Sequence, residues 1–160
     1  MIYILLIISF YLEGILSRLI SISYLIPLTT LMSLILIYPY MYNNKKYYII
    51  CFIIGLIYDI SYTNTGILNA FIFLLLGYIV SILNTYIKNN WISIIIISII
   101  IIVLYRIITY FTLIFIDYFN FDMNTLINSI IYSLLFNILY ILLMYIITNK
   151  VKKRRIYIKN

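Results

Sequence analysis

The 160-residue chain has no histidine, a single cysteine (Cys51), a single alanine (Ala70) and only four acidic residues. Each shortage removes a class of chemistry. Without histidine there is no imidazole base and no histidine-dependent nucleophilic triad. One cysteine cannot close a disulfide within the chain, and a His/Cys metal site is excluded. Cys51 lies inside an apolar run and reads as a small buried hydrophobe. Carboxylates paired at metal-ligand spacing are missing. Asp117 and Asp122 share a loop, which is weak ground for a metal site. No catalytic residue, metal or cofactor is expected.

What the chain does contain is hydrocarbon. It is 66% hydrophobic and 9% charged, with a mean hydropathy of +1.16. A typical soluble domain is about 45–50% apolar and about 25% charged, so this composition belongs in a membrane. A helix crossing the bilayer takes about 20 apolar residues. The length therefore allows roughly six spans with short loops and leaves no room for a separate soluble domain. The expected fold class is all-α, a polytopic membrane helix bundle over residues 1–149 with a basic tail at 150–160. The 19 tyrosines accompany a general bias towards Ile, Asn and Lys, so their number does not argue for a ligand cage.

The formal net charge is +7. On a soluble protein that would point to nucleic acid. Here the lysines and arginines occupy the gaps between apolar runs and the C-terminus, where they act as orientation signals. Lys45, Lys46, Lys88 and the VKKRR tail fall on one side if there are six spans. The opposite side receives Arg18, the uncharged turn at 61–66, Asp117 and Asp122. The positive-inside rule then puts both termini in the cytoplasm. The tail is also expected to favour anionic lipid, or a cytoplasmic protein partner.

Read in order, the first apolar run reaches about residue 20. It lacks the basic start and cleavage site of a signal peptide, so it is kept as a helix of the mature protein. Ser9, Glu13 and Ser17 recur on one face of it, with Gly14 alongside. A second helix is expected from Pro27, placed in its first turn, to about Tyr42. The third, about 47–60, is short for a span at roughly 22 Å. It carries Gly55 and Asp59 on one face. Thr63, Asn64 and Thr65 are candidate N-caps for the fourth, about 66–87, which aligns Asn69, Gly77, Ser81 and Asn84. The fifth runs from Trp91 to about Ile116 and holds Arg106. The sixth runs from Met123 to about Thr148, with Ser129, Ser133 and Asn137 at i, i+4, i+8. The Ser/Asn stripes serve as interhelical hydrogen-bonding glue or line a small cavity.

Three ionisable groups, Glu13, Asp59 and Arg106, fall within these helices. A lone charge at such depth costs at least about 2.5–3.5 kcal/mol. The expectation is that Arg106 pairs with Glu13, Asp59 or both in the bundle interior. Such a pair would set helix register, hold a partner helix and relay a conformational signal, or pass a proton or ion.

The stretch GLIYDISYTNTGILNAFIFLLLGY joins Asp59, a polar turn and a glycine-bearing helix. Gly55, Leu56, Tyr58, Asp59, Tyr62, Thr63, Gly66, Asn69, Gly77 and Tyr78 in it resemble the MreD family of bacterial rod shape-determining membrane proteins. Glu13 matches a position where members carry a polar or acidic residue. Arg106 lies outside the pattern, and its role rests on the membrane-charge argument alone. The resemblance implies a non-enzymatic component of the cell-elongation machinery that scaffolds or regulates peptidoglycan synthesis. The partners it implies are MreC, with its single membrane helix, the RodA glycosyltransferase with its class B penicillin-binding protein, and indirectly the MreB filament. The small-residue faces at Gly55 and Gly77 are then candidate docking strips. The competing reading is the substrate-binding subunit of a vitamin-type membrane transporter, also a compact bundle of about six helices. A membrane enzyme comes third.

Overall fold

The computed structural model describes residues 2–19, 27–41, 43–63, 66–87, 90–117 and 121–159. Two of the candidate caps, Asn64 and Thr65, and the loop lysine Lys88 lie outside them. Among the described residues there are six α-helices and no strand, an all-α bundle: α1 Ile2–Leu19, α2 Thr29–Ile37, α3 Asn44–Tyr62, α4 Leu68–Tyr86, α5 Trp91–Phe115 and α6 Met123–Lys159. Three stretches among the described residues are long and apolar enough to cross a membrane, namely α4, α5 and the Met123–Thr148 part of α6.

The second helix departs most from expectation. It is nine residues long and all nine are buried. At about 1.5 Å per residue it reaches only about 14 Å, half the hydrocarbon thickness. Pro27 lies outside it, and the helix gives way to a 3-10 turn, Tyr38–Tyr40, that contains Pro39. Proline has no N–H to donate to the carbonyl four residues back, and its ring crowds that carbonyl, so the α-helical pattern stops there. This short helix sits at the centre of the bundle, against α1, α4, α5 and α6. Leu31, Met32, Leu34 and Ile35 join Tyr47, Cys51, Phe73, Leu76, Ile97 and Ile101 in the core.

The third helix is longer than its apolar run. It begins at Asn44 because the Asn43 side chain accepts the Lys45 N–H at 2.9 Å, which satisfies a donor that the helix cannot. It ends after Tyr62, for 19 residues in all. That is about 28 Å, and the expected shortfall disappears. The α3–α4 hairpin is the most extensive pairing in the bundle, followed by α5 with α6. α6 continues without a break to Lys159, so the backbone of the basic tail extends that helix. Ile4, Ile8, Tyr11 and Ile15 on α1, and Leu135, Leu139 and Leu143 on α6, face outward. Their spacing makes continuous apolar stripes.

Candidate functional site

Asp59 is brought to α4 by a glycine. A Cβ on Gly55 would lie 2.5 Å from the Ala70 Cα and 2.7 Å from the Asn69 carbonyl oxygen. Only hydrogen at position 55 lets the two backbones come this close. One turn further along α3, the Asp59 carboxylate therefore meets the first turn of α4. Its Oδ2 accepts the Ala70 N–H at 3.0 Å, and its Oδ1 accepts from Asn69 Nδ2 at 2.8 Å and from the Thr63 hydroxyl at 2.9 Å. The residue preceding α4, Ile67, offers no side-chain cap. The capping role expected of the Thr63 region is thus filled by Asp59, with Thr63 steadying the carboxylate. Gly66 supports the turn with a φ of +77°, a conformation that costs glycine nothing. An anion at a helix N-terminus meets unpaired N–H groups and the positive end of the dipole.

Glu13 does the same for α2. Its Oε2 accepts the Thr30 N–H at 2.7 Å and lies 3.4 Å from the Thr29 hydroxyl, while Oε1 accepts from the Tyr58 hydroxyl at 2.8 Å. Leu28, just before α2, has no cap of its own, and its N–H donates to Asn137 Oδ1 at 2.8 Å. The end of α2 is thus closed by α1 on one side and α6 on the other. Tyr58 and Asp59 are neighbours about 100° apart on the helix, so one reaches α1 and the other α4.

The remaining helices join through short links. Tyr105 on α5 donates to Asn69 Oδ1 at 3.1 Å. Arg106 Nη2 donates to the Ser133 hydroxyl at 3.1 Å, and Asn137 Nδ2 bonds the Ser133 carbonyl at 2.7 Å. The Ser9 hydroxyl meets the Tyr140 hydroxyl at 2.7 Å. Glu13, Asp59, Asn69, Arg106, Ser133 and Asn137 are all buried. One polar layer therefore crosses the whole bundle.

Arg106 was expected to pair with Glu13, Asp59 or both, and this arrangement changes the part that concerns Glu13. Both side chains are interior, and the guanidinium lies within electrostatic reach of Glu13, Tyr58 and Tyr105. Yet the close hydrogen bonds on Glu13 come from the Thr30 N–H and the Tyr58 hydroxyl rather than from Arg106, while the Thr29 hydroxyl donates to the Ser9 carbonyl at 2.7 Å. The first-turn N–H group of α2 gives the carboxylate a direct hydrogen-bond donor, so it needs no contact with the guanidinium.

The glycines are also occupied internally. A Cβ on Gly77 would stand 2.7 Å from Cys51 Sγ, and one on Gly14 would stand 2.6 Å from the Tyr62 hydroxyl. The open sides of Gly55 and Gly77, expected as partner-docking strips, are filled by the α3–α4 crossing. Tyr62 lies over Gly14 and donates to the Phe10 carbonyl at 2.7 Å. Ser81 meets the Tyr48 hydroxyl at 2.7 Å. Sequence reasoning missed Thr29, the Thr30 N–H as the partner of Glu13, Tyr105 and the connecting role of Tyr58. The i, i+4 stripes at Ser9/Glu13 and Ser133/Asn137 were visible, but not what they face. Among the described residues, no three His, Cys, Asp or Glu side chains gather as metal ligands.

Searches of curated proteins and of solved structures return no match. A family model described as rod shape-determining protein MreD matches residues 1–153. The residues that cap, cross and link helices in this bundle all fall inside that span, and the chain belongs to the MreD family of rod shape-determining proteins.

Proposed function

We propose that this protein is a membrane scaffold and regulator of the cell-elongation complex, controlling cell shape through peptidoglycan synthesis. The family match over residues 1–153 carries this reading. The internal architecture supports it: buried carboxylates tie helices together, as a rigid platform requires. In this reading the protein lies in the bacterial cytoplasmic membrane as a multi-pass bundle with both termini in the cytoplasm. It contacts MreC and the RodA–class B penicillin-binding protein pair, and through them MreB. Gly55 and Gly77 are packed internally, so partner helices dock on other faces of the bundle.

Depletion in the native cell followed by microscopy tests the function. Conversion of rods to spheres is the expected result. Normal shape with a new vitamin requirement would instead favour the transporter reading. Orientation is tested separately with cysteines placed at positions 64 and 89. In intact cells an impermeant thiol reagent should label the first and not the second.

A further inference from the structure

Near Tyr62, α1 and α3 are joined by the bond to the Phe10 carbonyl. Towards their N-terminal ends a groove of about 230 Å³ lies between them, lined by Tyr3, Leu6 and Ile7 of α1 and by Ile50, Ile53 and Ile54 of α3. Apart from the Tyr3 hydroxyl, every lining side chain is hydrocarbon. Lys46 lies one turn before Ile50 and two before Ile53 and Ile54, so it continues the same face of α3. Lys45 and Lys46 are both exposed, in the first turn of α3.

We infer that this groove binds an anionic phospholipid, with one acyl chain between α1 and α3 and the headgroup against Lys46 and Lys45. Two observations select a lipid over a protein helix. Close helix docking uses small residues that let backbones approach, and this groove has none. Gly14, Gly55 and Gly77 face Tyr62, α4 and α3 instead. Its walls are branched or aromatic side chains, which leave a narrow slot that a flexible chain fills. The basic pair supplies the charge complementarity. A lysine near an anionic headgroup contributes enough for about a fivefold preference each, and Tyr3, near the N-terminus of α1, is a residue type that anchors at lipid–water boundaries.

The test uses the full chain reconstituted in vesicles containing phosphatidylglycerol or phosphatidylcholine with a diazirine on one acyl chain. Labelled peptides are mapped by mass spectrometry. Phosphatidylglycerol should label the groove residues at least fivefold more than the outer stripe of α6 at Leu135, Leu139 and Leu143. Removing the lysines together (Lys45→Gln, Lys46→Gln) should bring groove labelling by phosphatidylglycerol down to that of phosphatidylcholine. Both lysines are exposed, so the variant folds, and a thermal unfolding scan checks this. Ile53→Trp fills the slot and should remove groove labelling by either lipid. Equal labelling of groove and α6, or an unchanged lipid preference in the lysine variant, overturns the proposal. So does groove labelling that vanishes in native membranes while α6 labelling persists, because another protein then covers the site.

Discussion

The Glu13 carboxylate accepts the backbone N–H of Thr30, 17 residues away and on another helix, at 2.7 Å. A buried helix begins at that bond. Asp59 stands in the same relation to Ala70 at the start of α4. Both membrane-embedded acids are thus explained by one physical need: the first turn of a helix has N–H groups that lipid cannot satisfy.

Replacing Glu13 by Leu leaves the Thr30 N–H and the Tyr58 hydroxyl without their acceptor. Each such orphan costs about 1–3 kcal/mol. Thermal unfolding in detergent should show Glu13→Leu well below the parent. Glu13→Gln should fall between them, since its carbonyl oxygen can still accept from Thr30 but carries no charge for the helix dipole to hold.

Gly55→Ala should be more damaging than Gly77→Ala. The first new methyl meets backbone at 2.5 Å, the second a cysteine sulfur at 2.7 Å. Overpacking of this kind costs about 1–3 kcal/mol. Cys51→Ala removes the sulfur and should restore most of the stability lost in Gly77→Ala. Nothing of comparable size should rescue Gly55→Ala, because the obstacle there is main chain. Melting temperatures of the four single and paired variants decide it.

Asp59 and Asn69 should prove coupled. Asn69 Nδ2 donates to Asp59 Oδ1 at 2.8 Å, and its own carbonyl holds Tyr105. A double-mutant cycle with Asp59→Ala and Asn69→Ala should give an interaction energy of about 0.5–3 kcal/mol. Simple additivity would mean that the contact contributes nothing.

At the solvent-facing start of α6, the Thr125 hydroxyl, with the Asn124 and Thr125 N–H groups, holds the Asp122 carboxyl below its ordinary value of 3.8. The charged form is the one stabilised. The cap therefore contributes fully above the ordinary value and is lost as pH falls through the lowered folded value. In Asp122→Asn that acid-side dependence should flatten, as followed by helix content during acid titration.

Composition alone determined that this chain lives in lipid. So much apolar surface cannot be hidden in 160 residues, and the lack of histidine and the single cysteine removed most site chemistry at once. Local periodicity located α4, α5 and the apolar part of α6 within a residue or two, because each is an unbroken apolar run bounded by polar residues. The cost of a charge in lipid also marked Glu13, Asp59 and Arg106 as interior. Tertiary structure decided what those groups do. A carboxylate in lipid needs a positive counterpart, and a sequence displays only side chains. Arg106 was the visible cation. The counterpart Glu13 uses is the bare N-terminus of α2 with the Tyr58 hydroxyl, and backbone N–H groups leave no mark in a list of residues. The same holds for Gly55 and Gly77: their missing side chains predict a close approach, and only the fold shows that the surface approaching is the chain's own.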